Sequence, residues 1–136
     1  MIATFATMVN QKILIPSQRT NYVAVQREHL VEFLKPQVNR IAFDEAWYLA
    51  LNPDIGVAIE GGAIASAHAH YVNAGYYEGR QPYEIKVNER WYLDQYDDIR
   101  GAVASGLFTS GQDHFNQAGY REGRLPYPGF ALRMAE

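Results

Sequence analysis

Apolar residues along this chain recur in short bursts rather than in long stripes. Trp47, Tyr48 and Leu51 mark one face of a short helix, with Asp44 placed to cap its first turn. The run IGVAI, Ile55 to Ile59, continues as a second short helix after Asn52-Pro53-Asp54. There Asn52 can cap, Pro53 suits the first helical position, and Asp54 complements the positive helix end. Gly62 supplies a left-handed residue to end it. Ser66 caps a third helix carrying His70 and Tyr71, and Gly75 closes it before Glu-Gly-Arg and Pro82 turn the chain.

The same order then returns. Trp91 repeats Trp47 at an offset of 91 − 47 = 44 residues, and the match runs without a gap. Asn88 stands for Asp44, IRGAV for IGVAI, Gly106 for Gly62, Ser110 for Ser66 and Gly119 for Gly75. YVNAGYYEGRQPY becomes FNQAGYREGRLPY, and roughly half of all aligned positions are identical, at a period typical of helical repeat arrays. Tyr96-Asp97 replaces Asn52-Pro53, which predicts a weaker start for the second helix of the second copy. The expected fold is all-α in the main, as two tandem three-helix repeats at residues 43–84 and 85–136, the latter including a C-terminal tail.

Residues 1–42 stand outside the repeat as an N-terminal extension. Ile13 to Ile15, before Pro16, predict one short strand with no evident mate in the chain, which favours pairing between copies. Tyr22 to Leu34 predict a capping helix started by Asn21, with Tyr22, Val25, Leu30, Phe33 and Leu34 near one face. Lys35-Pro36 should end it, because the residue before proline is pushed out of helical geometry.

Composition narrows the function classes. A chain of 136 residues with 48% hydrophobic and 20% charged residues is ordinary for one globular domain. A net charge of −3 gives no electrostatic footprint for nucleic acid, and no apolar run is long enough to span a membrane. The absence of cysteine removes disulfides, thiolate zinc sites and cysteine nucleophiles together. With no secretory signature at the start, the expected location is cytoplasmic.

Three side chains besides glycine and proline recur with chemical potential: Asp54, His70 and Arg80, then Asp98, His114 and Arg124. A structural clamp accounts for them best. An arginine fork would hold Asp54 or helix-end carbonyls, and His70 would pack against Trp47. Trp47, Asp54, His70, Gly79, Trp91, Asp98, His114 and Gly123 are therefore assigned as structural repeat residues. No catalytic, cofactor-binding or metal-ligating residue is assigned. GYYEGR lacks the Lys-Ser/Thr of a phosphate loop, and His68 and His70 lie two apart, pointing apart on a helix. Asp97, Asp98 and Glu89 read as helix-start charges, and Ser66 and Ser110 as caps without a nucleophile turn.

The string W-Y-L…P-D-I…S-A…H-Y…G-Y-x-E-G-R-x-P resembles a short repeat of alphaproteobacterial proteins, written loosely YLxxYPDVxxAV…HYxxxGxxEGRxP. Its specific part falls on Gly75, Glu78, Gly79, Arg80 and Pro82 and again on Gly119, Glu122, Gly123, Arg124 and Pro126. The likeness covers Phe43 to Tyr127, and Asp97 departs from the usual proline. In that family the repeat is an accessory module beside glycosyltransferases, surface-polysaccharide proteins and secreted calcium-binding repeat proteins. What the resemblance implies is a setting in bacterial exopolysaccharide assembly, with no catalytic residues to carry over.

The expected function is a non-enzymatic adaptor that binds a protein partner, with a glycosyltransferase as the implied candidate, and that self-associates. Tyr76, Tyr77, Arg80, Tyr83, Tyr120, Arg124 and Tyr127 form the candidate interaction surface. The alternatives are a carbohydrate-binding module, in which Tyr76 and Tyr120 stack on a glycan, and a structural protein that self-assembles through its N-terminal strand and helix.

Overall fold

Small polar residues start the helices, and the chain folds as those caps direct. A computed structural model describes residues 4–18 and 21–136 and is mainly helical, with one two-stranded sheet among those residues. It divides into two units, residues 1–39 and 40–136. Residues 40–42 thus belong with the helical part, three residues earlier than the expected boundary.

In the first unit, α1 (Phe5–Asn10) begins where the Thr4 hydroxyl accepts the Thr7 N–H at 3.1 Å. Strands β1 (Leu14–Pro16) and β2 (Val23–Val25) pair antiparallel, Leu14 opposite Val25 and Pro16 opposite Val23. The strand predicted from Ile13 to Ile15 therefore has its mate within the chain, and the argument for pairing between copies through it is overturned. The predicted helix from Tyr22 is corrected as well. β-branched Val23 and Val25 take the ladder, Gln26 remains extended, and α2 spans Arg27–Val38. Pro36 lies inside its last turn. The ring removes only its own N–H bond, and Asn39 N–H reaches the Lys35 carbonyl at 2.9 Å to close the turn.

The second unit opens with α3 (Glu45–Leu51), α4 (Pro53–Glu60) and α5 (Ala67–His70), the last running into a π-helical turn at Tyr71–Gly75. Helices α6 (Glu89–Gln95), α7 (Asp97–Ala104) and α8 (Gly111–His114) follow in the same order, with a second π-helical turn at Phe115–Gly119. The caps are those the sequence predicts. Asp44 and Asn88 accept from Trp47 and Trp91 N–H, and Ser66 and Ser110 from Ala69 and Asp113 N–H. Helices α4 and α7 are both 8 residues long, so Asp97 in place of proline does not shorten α7. Asn52 is not a side-chain cap; its amide donates instead to the Tyr48 carbonyl at the end of α3.

Each triplet of helices folds back on its own start. Asp44 N–H donates to the Pro82 carbonyl at 2.9 Å, and Asn88 N–H to the Pro126 carbonyl at 3.0 Å. The interiors are aromatic: Tyr48 and Tyr71 with Ile55 in the first triplet, Tyr92 and Phe115 with Ile85 and Ile99 in the second. Phe130 and Leu132 of the C-terminal tail pack on the second cluster. The tail then reaches the start of the unit, where Ile41 bridges Met134 and Ala42 N–H donates to the Arg133 carbonyl at 2.8 Å.

Candidate functional site

Glycine decides where the recurring polar groups can sit. Gly75 and Gly119 are not left-handed helix ends, as the sequence suggests. They lie in the π-helical turns, where any Cβ would run into the Tyr48 or Tyr92 hydroxyl respectively. The left-handed residues that follow these turns are Gly79 and Gly123, at φ 72° and 77°. Each ends a Schellman turn, in which Arg80 N–H reaches the Gly75 carbonyl and Arg124 N–H the Gly119 carbonyl, both at 2.9 Å.

The tyrosine admitted by that glycine holds a histidine. Tyr48 Oη lies 2.8 Å from His70 Nδ1, and Tyr92 Oη lies 2.9 Å from His114 Nδ1. The partner of His70 is thus Tyr48, not the Trp47 the sequence suggests. Burial pushes the Tyr48 phenol up to about 12 and raises that of Tyr92 further. Each phenol and its imidazole share one hydrogen bond, whose direction follows the tautomer of the ring. In the second triplet Nε2 lies 3.7 Å from Glu122 Oε2. Burial also lowers the pKa of His114, which keeps that ring neutral.

Arginine forms the second brace. Arg124 grips Asp98 with two parallel bonds, at 3.0 and 2.7 Å, and donates from Nε to Glu122 at 2.8 Å. Arg80 repeats the grip on Asp54 at 3.3 and 3.2 Å and on Glu78 at 2.6 Å. The bonds from these guanidiniums hold the Asp54 and Asp98 carboxyls below the usual carboxylate range. Where the first copy adds an Asn52 acceptor at 2.7 Å, the second lays Arg124 over the Tyr96 ring, 4.9 Å from its centroid.

The two triplets meet by a different set of residues. A Cβ on Gly79 would stand 3.1 Å from Arg121 Cγ, and Gln81 Nε2 donates to Asn116 Oδ1 at 3.4 Å. Burial drives the phenols of Tyr71 and Tyr120 up, that of Tyr120 to about 12. Beside this seam lies an open cleft of about 500 Å³, lined by Asn52, Glu78, Arg80 and Gln81 on one side and by Asn116, Gln117, Tyr120 and Arg121 on the other. Its charge is nearly balanced, because Glu78 and Arg80 pair with each other. Among the described residues Arg121 donates only to the Gln117 carbonyl of its own turn, at 3.1 Å, and remains exposed. Gln81 is 4% exposed, and its Oε1 has no hydrogen-bond partner among the described residues.

The expected surface is divided by the fold. Arg80 and Tyr120 reach this cleft, whereas Tyr83 and Tyr127 line a separate groove of about 240 Å³ with Phe130 and Arg133. Tyr83 is engaged there, its hydroxyl accepting from Arg133 N–H at 2.7 Å. Tyr76, Tyr77 and Arg124 line neither. Tyr76 and Tyr120 are half-buried and stand nearly perpendicular to Tyr71 and Phe115, at 88° and 81° respectively. His68 packs on Phe43 at 5.0 Å, away from the bond made by His70.

Sequence reasoning passed over Gln81, Asn116, Gln117 and Arg121. Their one signal is that they break the repeat, standing where the other copy has Leu125, Val72, Asn73 and Tyr77. Glu89 stands in the first turn of α6, as expected of a helix-start charge, and its carboxylate also crosses to cap the start of α8 through Gly111 and Gln112 N–H. Compared with known proteins, the chain matches no family model, no curated protein and no solved structure.

Proposed function

We propose that the protein is a non-enzymatic interaction module built from two copies of one three-helix unit, and that the cleft at their seam takes a protein partner. One observation carries this reading. The recurring Tyr–His and Arg–Asp–Glu groups are occupied with one another, while Gln81, Asn116, Gln117 and Arg121, which differ between the copies, line the cleft beside the shared Glu78, Arg80 and Tyr120. Groups fully bonded inside the fold serve its shape; the exposed Arg121 guanidinium, with no ion pair among the described residues, and the amides beside it at a concave seam suit recognition. The repeat's likeness to modules beside glycosyltransferases supports a partner in surface-polysaccharide assembly, and the cysteine-free composition fits a cytoplasmic setting.

The test compares wild type and Arg121→Glu as baits in extracts of the native bacterium. A partner held by wild type and lost by the variant is the expected result. No partner, or one held equally by both baits, would sink the proposal. A glycan ligand is the second reading, favoured by the amides of Gln81, Asn116 and Gln117 around Tyr120. Calorimetric titration with neutral and acidic oligosaccharides decides it, since the protein reading predicts no heat with either.

A further inference from the structure

The chain passes from one triplet to the other through two residues. Helices pack within their own triplet, α3 with α4 and α5, and α6 with α7 and α8. The Pro82 carbonyl accepts from Asp44 N–H, so the first triplet holds the chain as far as Pro82. From Ile85 onward it belongs to the second. Ile85 lies in that core, and Gln112 accepts from Val87 N–H at 2.8 Å and donates to the Ile85 carbonyl at 3.0 Å. Tyr83 and Glu84 stand between. At the seam, the Gln81–Asn116 bond of 3.4 Å is longer than the usual range of about 2.7–3.2 Å. A short loop segment between two separately packed bodies is where a hinge turns.

The C-terminal tail crosses that point. Phe130 and Leu132 pack on the second core, as does the Tyr83 ring. Arg133 then holds Tyr83 twice: its N–H donates to the phenol oxygen at 2.7 Å, and its guanidinium lies 4.7 Å from the ring centroid. Beyond Tyr83 the tail fastens to the chain entering the first triplet. The Arg133 carbonyl accepts from Ala42 N–H at 2.8 Å, and Ala135 N–H donates to the Arg40 carbonyl at 2.6 Å. We propose that residues 130–135 form a strap that locks the Tyr83–Glu84 hinge and so sets the width of the cleft at the seam. Arg80 and Gln81 wall that cleft from the first triplet, Asn116 and Arg121 from the second, so any turn at the hinge moves one wall against the other. Arg133 to Ala135 are exposed, and the lock can be undone without opening the core. The consequence for binding rests on the cleft being the partner's seat; the hinge itself does not.

Pulsed electron spin resonance on the full chain tests the proposal, and a sequence without cysteine labels cleanly. Val57→Cys and Leu107→Cys place one spin label on each triplet, at side chains open to solvent. Adding Arg133→Pro and Ala135→Pro removes both N–H donors and the guanidinium while Phe130 and Leu132 keep their places. The Val57–Leu107 distance should be narrowly distributed with the strap intact and broadly distributed once it is released. A control pair within the second triplet, Asp94→Cys with Leu107→Cys, should stay narrow in both. A Val57–Leu107 distribution that is already broad with the strap intact, or unchanged by its release, would overturn the proposal. So would a broadened control pair, which would make the tail part of the second triplet's own fold. Partner capture is read separately: a released strap that broadens the distance yet leaves capture at the wild-type level supports the hinge and counts against the cleft as the seat.

Discussion

The Tyr92 hydroxyl stands 2.9 Å from His114 Nδ1, in space that exists only because residue 119 has no Cβ. Tyr48, His70 and Gly75 repeat the relation. Three residues spread over a triplet of helices thus depend on each other, and that dependence can be measured.

Tyr92→Phe leaves His114 buried with its Nδ1 unmet. The expected loss is about 1–3 kcal/mol by chemical denaturation, the usual cost of orphaning a buried polar group. Tyr48→Phe should cost less, because His70 is only half-buried whereas His114 is 2% exposed.

Gly119→Ala forces the Tyr92 hydroxyl aside and should cost about 1–3 kcal/mol by overpacking. In the double variant Tyr92→Phe with Gly119→Ala the obstructing oxygen is gone. The double should therefore lose less than the sum of the singles, by a coupling of about 0.5–3 kcal/mol. Additive losses would show that the glycine serves some other need. Gly123→Ala is the contrasting case. No atom crowds a Cβ there, but φ is 77°, so left-handed strain alone should cost about 1 kcal/mol.

Acid should weaken the fold in two stages. The folded pKa of His114 lies below 6.5, so its contribution is complete above 6.5. It declines as pH falls below that value, because the unfolded chain takes up the proton first. Asp54 and Asp98, held below 3.8, add a second decline as pH falls through their folded values. Denaturation midpoints measured across pH should show both limbs, and His114→Gln should flatten only the upper one.

Arg124→Lys keeps the charge but loses the paired grip on Asp98 and the position over Tyr96. Asp98 is largely exposed, so the expected cost is only about 0.5–1 kcal/mol, shrinking further in high salt. A thermal melt in low and high salt checks both the size and the trend.

Caps made the helices legible. Asp44, Ser66, Asn88 and Ser110 announce their helices through side chains three residues from the N–H they serve, a purely local signal. The π-helical turns were hidden, because nothing local distinguishes a glycine that ends a helix from one that admits a tyrosine from another helix. Gly75 and Gly79 differ in role only once Tyr48 is in place. The mate of β1 was missed for a related reason: Tyr22 to Val25 fit a helical face, and only the Leu14–Pro16 strand opposite turns Val23 to Val25 into a ladder. The cleft was least legible of all. Attention to what repeats favours bracing residues, whereas Arg121 and Asn116 stand out by failing to repeat.

The clasp of Ile41 on Met134 gives the helical unit a kinetic order. Each triplet closes through nearby partners, Asp44 with Pro82 and Asn88 with Pro126, and so can form while the chain is still being made. The contact at Met134 spans nearly the whole unit and is the slowest to find, since the loop it closes is the longest. On the ribosome the two triplets would emerge already shaped, and the ring would lock only when residues 133–135 leave the exit tunnel.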